Sequence, residues 1–129
     1  MRSCVEYVCS RPDVYRKLQE EVDEFYRTNG SDTPITYLQT QQLPYLNAVV
    51  REALRLRPSI IGQLLRHTPE GGLVIDGKFI PANTPIGMSP LAQNRDKKVW
   101  GEDANEFKPE RWLESEAKAR QLESYNMTF

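Results

Sequence analysis

The chain has 129 residues, enough for one domain with a real core and hardly for two. Its 17 basic and 18 acidic residues nearly cancel, which argues against a nucleic-acid footprint or a patch for anionic membranes. It contains no apolar run of about 18 residues, so nothing in it spans a bilayer, and its first residues lack the basic-then-apolar layout of a signal peptide.

Met1, Cys4, Val5 and Val8 recur at i, i+3, i+4 and i+7, the spacing of a helix's last turns. No capping residue precedes them, so the sequence reads as beginning inside a larger unit. Ser10-Arg11-Pro12 breaks this helix, and Pro12 opens a second one over Asp13–Thr28. Val14, Leu18, Val22 and Phe25 form its apolar stripe, with Tyr15 and Tyr26 alongside. Arg16–Glu20, Lys17–Glu21 and Asp23–Arg27 then pair at i, i+4 on a solvated face with no chemistry assigned to it. Asn29-Gly30 tolerates the left-handed conformation that ends a helix. Cys4 and Cys9 would point to different faces of the first helix, which leaves two reduced thiols rather than a disulfide. With a single His, they make no zinc site, and the chain has neither a Gly-rich phosphate loop nor a nucleophile elbow.

Ser31–Gln42 reads as a polar loop leading into the central element, a helix over about 43–57. Leu46, Val49, Val50, Ala53 and Leu54 supply its stripe. Pro44 suits the first turn, and Pro58 disfavours the α conformation at Arg57 and ends the helix. Within it, Glu52-Ala53-Leu54-Arg55 places a carboxylate and a guanidinium three residues apart, as surface neighbours. On the wheel, Arg55 lies opposite the stripe and Glu52 at its margin. Taken alone, the helix therefore predicts a solvated ion pair, complicated by Arg51, a like charge four residues before Arg55.

After Pro58 the period changes. Ile60–Thr68 reads as one strand, and Leu73-Val74-Ile75, Asp76-Gly77, Lys78-Phe79-Ile80 as a β-hairpin over about 73–80 closed by a type I′ turn. A second turn at Pro81–Pro85 precedes a short strand over Ile86–Met88. Ser89–Arg95 then leads to a helical segment around Asp96–Trp100. From Gly101 onward the chain is rich in turns, with Phe107 and Trp112 as large anchors. Glu114–Glu123 reads as a solvated loop or a short helix, and the final Phe129 as a cut edge. The fold class is mainly α with a small β-sheet, α+β.

Glu52-x-x-Arg55, the Asp76-Gly77 hairpin, Ile80-Pro81, Trp100-Gly101 and Phe107-Lys108-Pro109-Glu110-Arg111-Trp112 follow one another in a characteristic order. The sequence in this respect resembles the cytochrome P450 family, its fungal members in particular, over nearly the whole of residues 1–129. The resemblance implies a partial cytochrome P450 domain, running from the end of the oxygen-activating helix to the segment before the cysteine loop. It implies a buried structural cluster of Glu52, Arg55 and Arg111 on the proximal side of a haem; one carboxylate can accept from two guanidinium forks that stay charged when buried. It further implies that Arg66 contacts a haem propionate, against the alternative of an ordinary surface charge. Ile60, Ile61, Gly62 and Gln63 would look into the substrate pocket, against the alternative of a plain core strand. His67, next along the strand, would point the other way, at the surface or behind the residues that touch the haem rather than as an iron ligand.

The iron ligand implied is a thiolate from a Gly- and Arg-rich loop that Phe129 would open, and neither Cys4 nor Cys9 takes that role. No catalytic residue and no metal ligand is therefore expected among these residues. The implied parent activity is monooxygenation of a small organic substrate with O₂ and electrons from an NADPH-dependent reductase, at the cytoplasmic face of the endoplasmic reticulum membrane. As written, the chain is expected not to turn over alone. The alternative reading is a truncated non-catalytic fragment, or a helix-pairing interaction module without haem.

Overall fold

The computed structural model describes residues 2–30 and 34–128. Helix α1 spans Arg2–Cys9, and α2 spans Pro12–Asn29 with Pro12 in its first turn. Gly30 closes α2 at φ +81°, its N–H donating to the Tyr26 carbonyl, which is how a residue with no Cβ ends a helix without steric cost. Ser31–Thr33 of the expected polar loop lie outside the described residues, as do Met1 and Phe129.

The rest of that loop is not uniformly irregular. Tyr37–Thr40 forms a short helix, α3, begun by a capping box in which Thr36 and Gln39 satisfy each other's backbone N–H groups. The central helix α4 then runs Pro44–Leu56.

The buried face of α4 is rotated from the expected stripe. Tyr45, Ala48, Val49, Glu52, Ala53, Arg55 and Leu56 are buried, whereas Leu46 and Leu54 are half-buried and Val50 is exposed. Other elements cause the rotation. On one flank, Tyr45, Val49, Ala53 and Leu56 pack with Val14 of α2 and with Phe107. On the other, Ala48 packs with Trp100, Ala104, Trp112 and Leu122. Phe107 is clamped from α1 by Tyr7, whose ring stacks on it at 4.6 Å. Burying an aromatic side chain typically contributes about 1.5–3 kcal/mol, so the segment after residue 100 supplies much of the core.

The β structure is slight. The expected hairpin forms as β2 (Leu73–Ile75) and β3 (Lys78–Ile80), with Leu73 opposite Ile80 and Ile75 opposite Lys78. Asp76 at φ +50° and Gly77 at φ +73° supply the two positive-φ positions of its turn. Ile60–Thr68 is not a single strand. Only Arg66–His67 (β1) is in a ladder, antiparallel to Pro85–Ile86 (β4), and the strand expected over Ile86–Met88 shrinks to that pair. Ladder bonds require a partner, and β4 begins with Pro85, which has no N–H to offer. Beyond it, the chain passes Leu64 and Leu65 so closely that a Cβ on Gly87 would lie 2.9 Å from a Leu65 methyl.

Pro90–Gln93 (α5) and Lys97–Trp100 (α6) follow, capped by Ser89 and Asp96. A 3₁₀ turn at Pro109–Trp112 leads to α7, Glu116–Tyr125, begun by Ser115. The Glu114–Glu123 run is thus mostly helix, fixed by burial of Leu122.

Candidate functional site

Glu52 and Arg55 lie one turn apart on α4 and are both fully buried. The solvated pair expected from the wheel is overruled, because Trp100, Trp112 and the chain between them cover that face. The Glu52 carboxylate accepts five hydrogen bonds. Oε1 takes Arg55 Nη2 at 2.8 Å, Arg111 Nε at 2.9 Å and the Lys108 backbone N–H at 3.0 Å. Oε2 takes Arg55 Nε at 2.9 Å and Trp112 Nε1 at 3.0 Å.

Both guanidinium groups spend most of their remaining donors on the loop between α6 and the 3₁₀ turn, with one from Arg55 going to the end of α5 and one from Arg111 to the end of α6. Arg55 Nη1 donates to the carbonyls of Asn94 (2.6 Å) and Ala104 (2.7 Å), and Nη2 to that of Glu106 (3.1 Å). All five Arg55 donors are thereby used, and the Trp100 ring lies 4.8 Å from its guanidinium carbon. Arg111 Nη1 donates to the Trp100 carbonyl at 3.1 Å and to Asp103 Oδ1 at 3.3 Å, and Nη2 to the Asp103 carbonyl at 3.1 Å. Asp103 also accepts from Lys108 Nζ at 2.9 Å.

The structure therefore brings Glu52, Arg55 and Arg111 together and adds Asp103 as a second carboxylate, so these four charges sum to zero. The hydrogen bond from Lys108 holds the Asp103 pKa below the ordinary carboxylate value against the opposing effect of burial, with Arg111 adding to it. The effect of this arrangement is to fix the course of the 101–112 backbone relative to α4, since the bonds from the guanidinium groups to the Asp103, Ala104 and Glu106 carbonyls each specify a point on that loop.

A second network joins α2 to the same turn. Lys17 does not pair with Glu21. Its Nζ lies 2.6 Å from Glu110, which also accepts from the Tyr45 hydroxyl at 3.2 Å. Burial opposes ionisation of Glu110, yet the bonds from Lys17 and Tyr45 hold its pKa below the ordinary value; burial, then the charge of Glu110, pushes the Tyr45 phenol up. Glu21 instead accepts the backbone N–H groups of Tyr45 and Leu46, each at 2.8 Å, and so caps α4 from another helix. Arg27 pairs with Glu24 rather than Asp23, whereas Arg16 and Glu20 remain an exposed pair at 3.9 Å. The local i, i+4 pairing expected of this face thus fails at Lys17 and Glu21, where contacts between helices win over local pairs.

The other expected site residues lie apart from this cluster. Arg66 on β1 is exposed and donates to the neighbouring Leu65 carbonyl; among the described residues it has no carboxylate partner, which leaves its charge available to an anionic group. His67 is exposed as well. Ile60, Ile61, Gly62 and Gln63 form an exposed irregular segment, and Ile61 borders a largely apolar cleft of about 690 Å³ shared with Cys4, Val50, Leu54, Pro58 and Leu91. Burial pushes the Cys4 thiol up, which makes it a poor thiolate, and Cys9 is exposed at the end of α1.

Sequence reasoning missed Asp103, Lys108, Trp112 Nε1, Glu21 and Asn94. Lys108 and Trp112 carried a signal, as members of the motif that holds Arg111.

The family model for cytochrome P450 matches residues 2–129. The chain is 42% identical over 115 residues to a pisatin demethylase of Fusarium vanettenii, covering 89% of this chain and 22% of that protein. It is 36% identical over 129 residues to the cytochrome P450 monooxygenase ACRTS1 of Alternaria alternata, covering 100% of this chain and 34% of that one. It is 41% identical over 121 residues to the cytochrome P450 monooxygenase ABA1 of Pyricularia oryzae, covering 93% of this chain and 24% of that protein. The chain thus spans about a fifth to a third of the length of these relatives.

Proposed function

The chain belongs to the cytochrome P450 family, and on that premise we propose that it is an internal structural part of a haem-thiolate monooxygenase acting on a small organic substrate. The observation that carries this reading is the buried Glu52 carboxylate shared by Arg55 and Arg111, which ties α4 to the loop ending at Trp112. In an enzyme of this kind the haem, held by a cysteine thiolate, supplies oxygen activation. The residues of this chain do the positioning. Glu52, Arg55 and Arg111 hold the loop on the proximal side. Arg66, an exposed guanidinium with no carboxylate partner among the described residues, suits a haem propionate. Ile60, Ile61, Gly62 and Gln63 suit one wall of the substrate pocket, since they are exposed and irregular rather than sealed in a sheet.

The sulfur donors here fit the iron poorly, because Cys4 is held as a thiol and Cys9 lies at an exposed helix end. The ligand in this reading comes from a loop that follows Phe129. Electrons come from an NADPH-dependent reductase at the cytoplasmic face of the endoplasmic reticulum membrane, and no helix among the described residues is long and apolar enough to cross a membrane.

The test is to read the transcript past the codon for Phe129, express whatever frame it encodes, and record the spectrum of the reduced carbon monoxide complex. A Gly-x-Gly-x-Arg-x-Cys loop with a thiolate-type spectrum is the expected result. A frame with no cysteine loop, or a loaded protein without that spectrum, overturns the reading. A second reading, a helix-pairing module without haem, draws support from the apolar cleft bordered by Val50, Leu54 and Ile61. It requires concentration-dependent association that Leu54→Lys abolishes.

A further inference from the structure

Asn94 ends α5 and is fully buried, although it is polar, lies outside every expected motif, and is preceded and followed by partly exposed residues. Its backbone carbonyl accepts from Arg55 Nη1 at 2.6 Å. Its side-chain Oδ1 accepts the Met127 N–H at 2.8 Å, and its Nδ2 lies 3.4 Å from the Met127 carbonyl. One side-chain amide thus meets the N–H and the carbonyl of one residue, in the two-bond pattern of an antiparallel residue pair. Aspartate could accept but not donate here, and alanine could do neither.

The geometry of the following residues gives this contact its importance. α7 ends at Tyr125, and Asn126 turns extended at ψ 112°, its N–H returned to the Glu123 carbonyl. Among the described residues, the hydrogen bonds that tie Asn126–Thr128 to another part of the fold are the two to Asn94, and Asn126 Oδ1 is buried without a partner. The direction in which the chain leaves α7 is therefore set by Asn94, and Asn94 is itself held by Arg55.

We propose that Asn94 is a positioning residue that transmits the placement of the Glu52–Arg55–Arg111 cluster to the Asn126–Thr128 segment, and through it to an iron-binding loop beyond Phe129. The last step rests on the monooxygenase reading; the clamp itself does not.

Amide hydrogen exchange at single residues tests the clamp in the 129-residue chain. Asn94→Ala removes both bonds to Met127 and is expected to speed exchange there by about tenfold or more, since one bond of ordinary net strength is worth roughly that factor. The Val49 and Ala53 amides inside α4 should keep their protection, and Asn94→Asp, which retains the acceptor, should restore most of the protection at Met127. Unchanged exchange at Met127 in Asn94→Ala overturns the proposal. So does equal acceleration at Val49 and Ala53 in Asn94→Asp, the variant used should the alanine protein fail to fold.

In the protein extended through the cysteine loop, Asn94→Ala is expected to reduce the thiolate-type fraction of the reduced carbon monoxide spectrum, and Asn94→Asp to recover it. An unchanged fraction refutes the link to the iron. A wild-type protein with no such spectrum refutes the monooxygenase reading instead, while exchange at Met127 still decides the clamp.

Discussion

Replacing Glu52 with glutamine separates charge and acceptor capacity from shape at the centre of the molecule. With the glutamine oxygen in the place of Oε1, the bonds from Arg55 Nη2, Lys108 N and Arg111 Nε can persist. The NH₂ group then faces Arg55 Nε and Trp112 Nε1, both donors, so two bonds are lost. At about 1.5–3 kcal/mol for a bond to a charged group, the loss is about 3–6 kcal/mol. That agrees with the roughly 3–5 kcal/mol expected when one partner of a buried ion pair is removed and a charge is left uncompensated. It would consume much of a typical domain stability of about 5–15 kcal/mol.

Urea denaturation followed by tryptophan fluorescence is the natural assay, because Trp100 and Trp112 are both buried against the cluster. Glu20→Gln is the control, since Glu20 faces Arg16 across 3.9 Å in solvent and should change stability by less than about 1 kcal/mol. If the two variants unfold at the same urea concentration, the reasoning from burial is wrong. The cluster need not stabilise the fold relative to a well-packed apolar replacement of all its members. What it supplies is a unique path for residues 101–112.

Glu21→Ala removes both acceptors from the first turn of α4 and should cost about 1–3 kcal/mol, combining a lost cap with a lost dipole interaction; a melting temperature within error of wild type would show that water serves equally well. The Asp103 and Glu110 carboxylates have folded pKa values below their ordinary ones, so the stability they contribute is complete above the unfolded carboxylate range near about pH 4 and is lost as pH falls through the folded values. Thermal melts between neutral pH and acid should thus steepen below that range, and Asp103→Asn should flatten the acid limb; identical limbs would count against the assignment. Gly72→Ala places a Cβ 2.5 Å from the Ile80 carbonyl oxygen at φ +77°, so it should lose the β2–β3 cross-strand exchange protection while the α4 amides stay protected. Retained hairpin protection would mean that the backbone there shifts at little cost.

The sequence by itself determined what depends on near neighbours along the chain. Pro12, Pro44 and Pro58 set helix boundaries through their fixed φ and missing N–H, and Asp76-Gly77 set the hairpin register through positive φ. The short helix after residue 36 was equally local, announced by Thr36-x-x-Gln39, and was overlooked inside a polar stretch. The motifs gave the family, and with it the meeting of Glu52, Arg55 and Arg111, which the helical wheel alone placed in solvent.

The tertiary structure decided everything that rests on contacts between distant residues. Arg111 lies 59 residues from Glu52, and only the covering of α4 by Trp100 and Trp112 turns a surface pair into a buried one. Lys17 and Glu21 had suitable partners one turn apart and chose others, because a buried helix terminus and a half-buried carboxylate offer more than an exposed i, i+4 pair. Ile60–Leu65 failed as a strand for the complementary reason. A ladder needs an edge that offers N–H and carbonyl groups in register, and the sequence of one strand does not contain its partner.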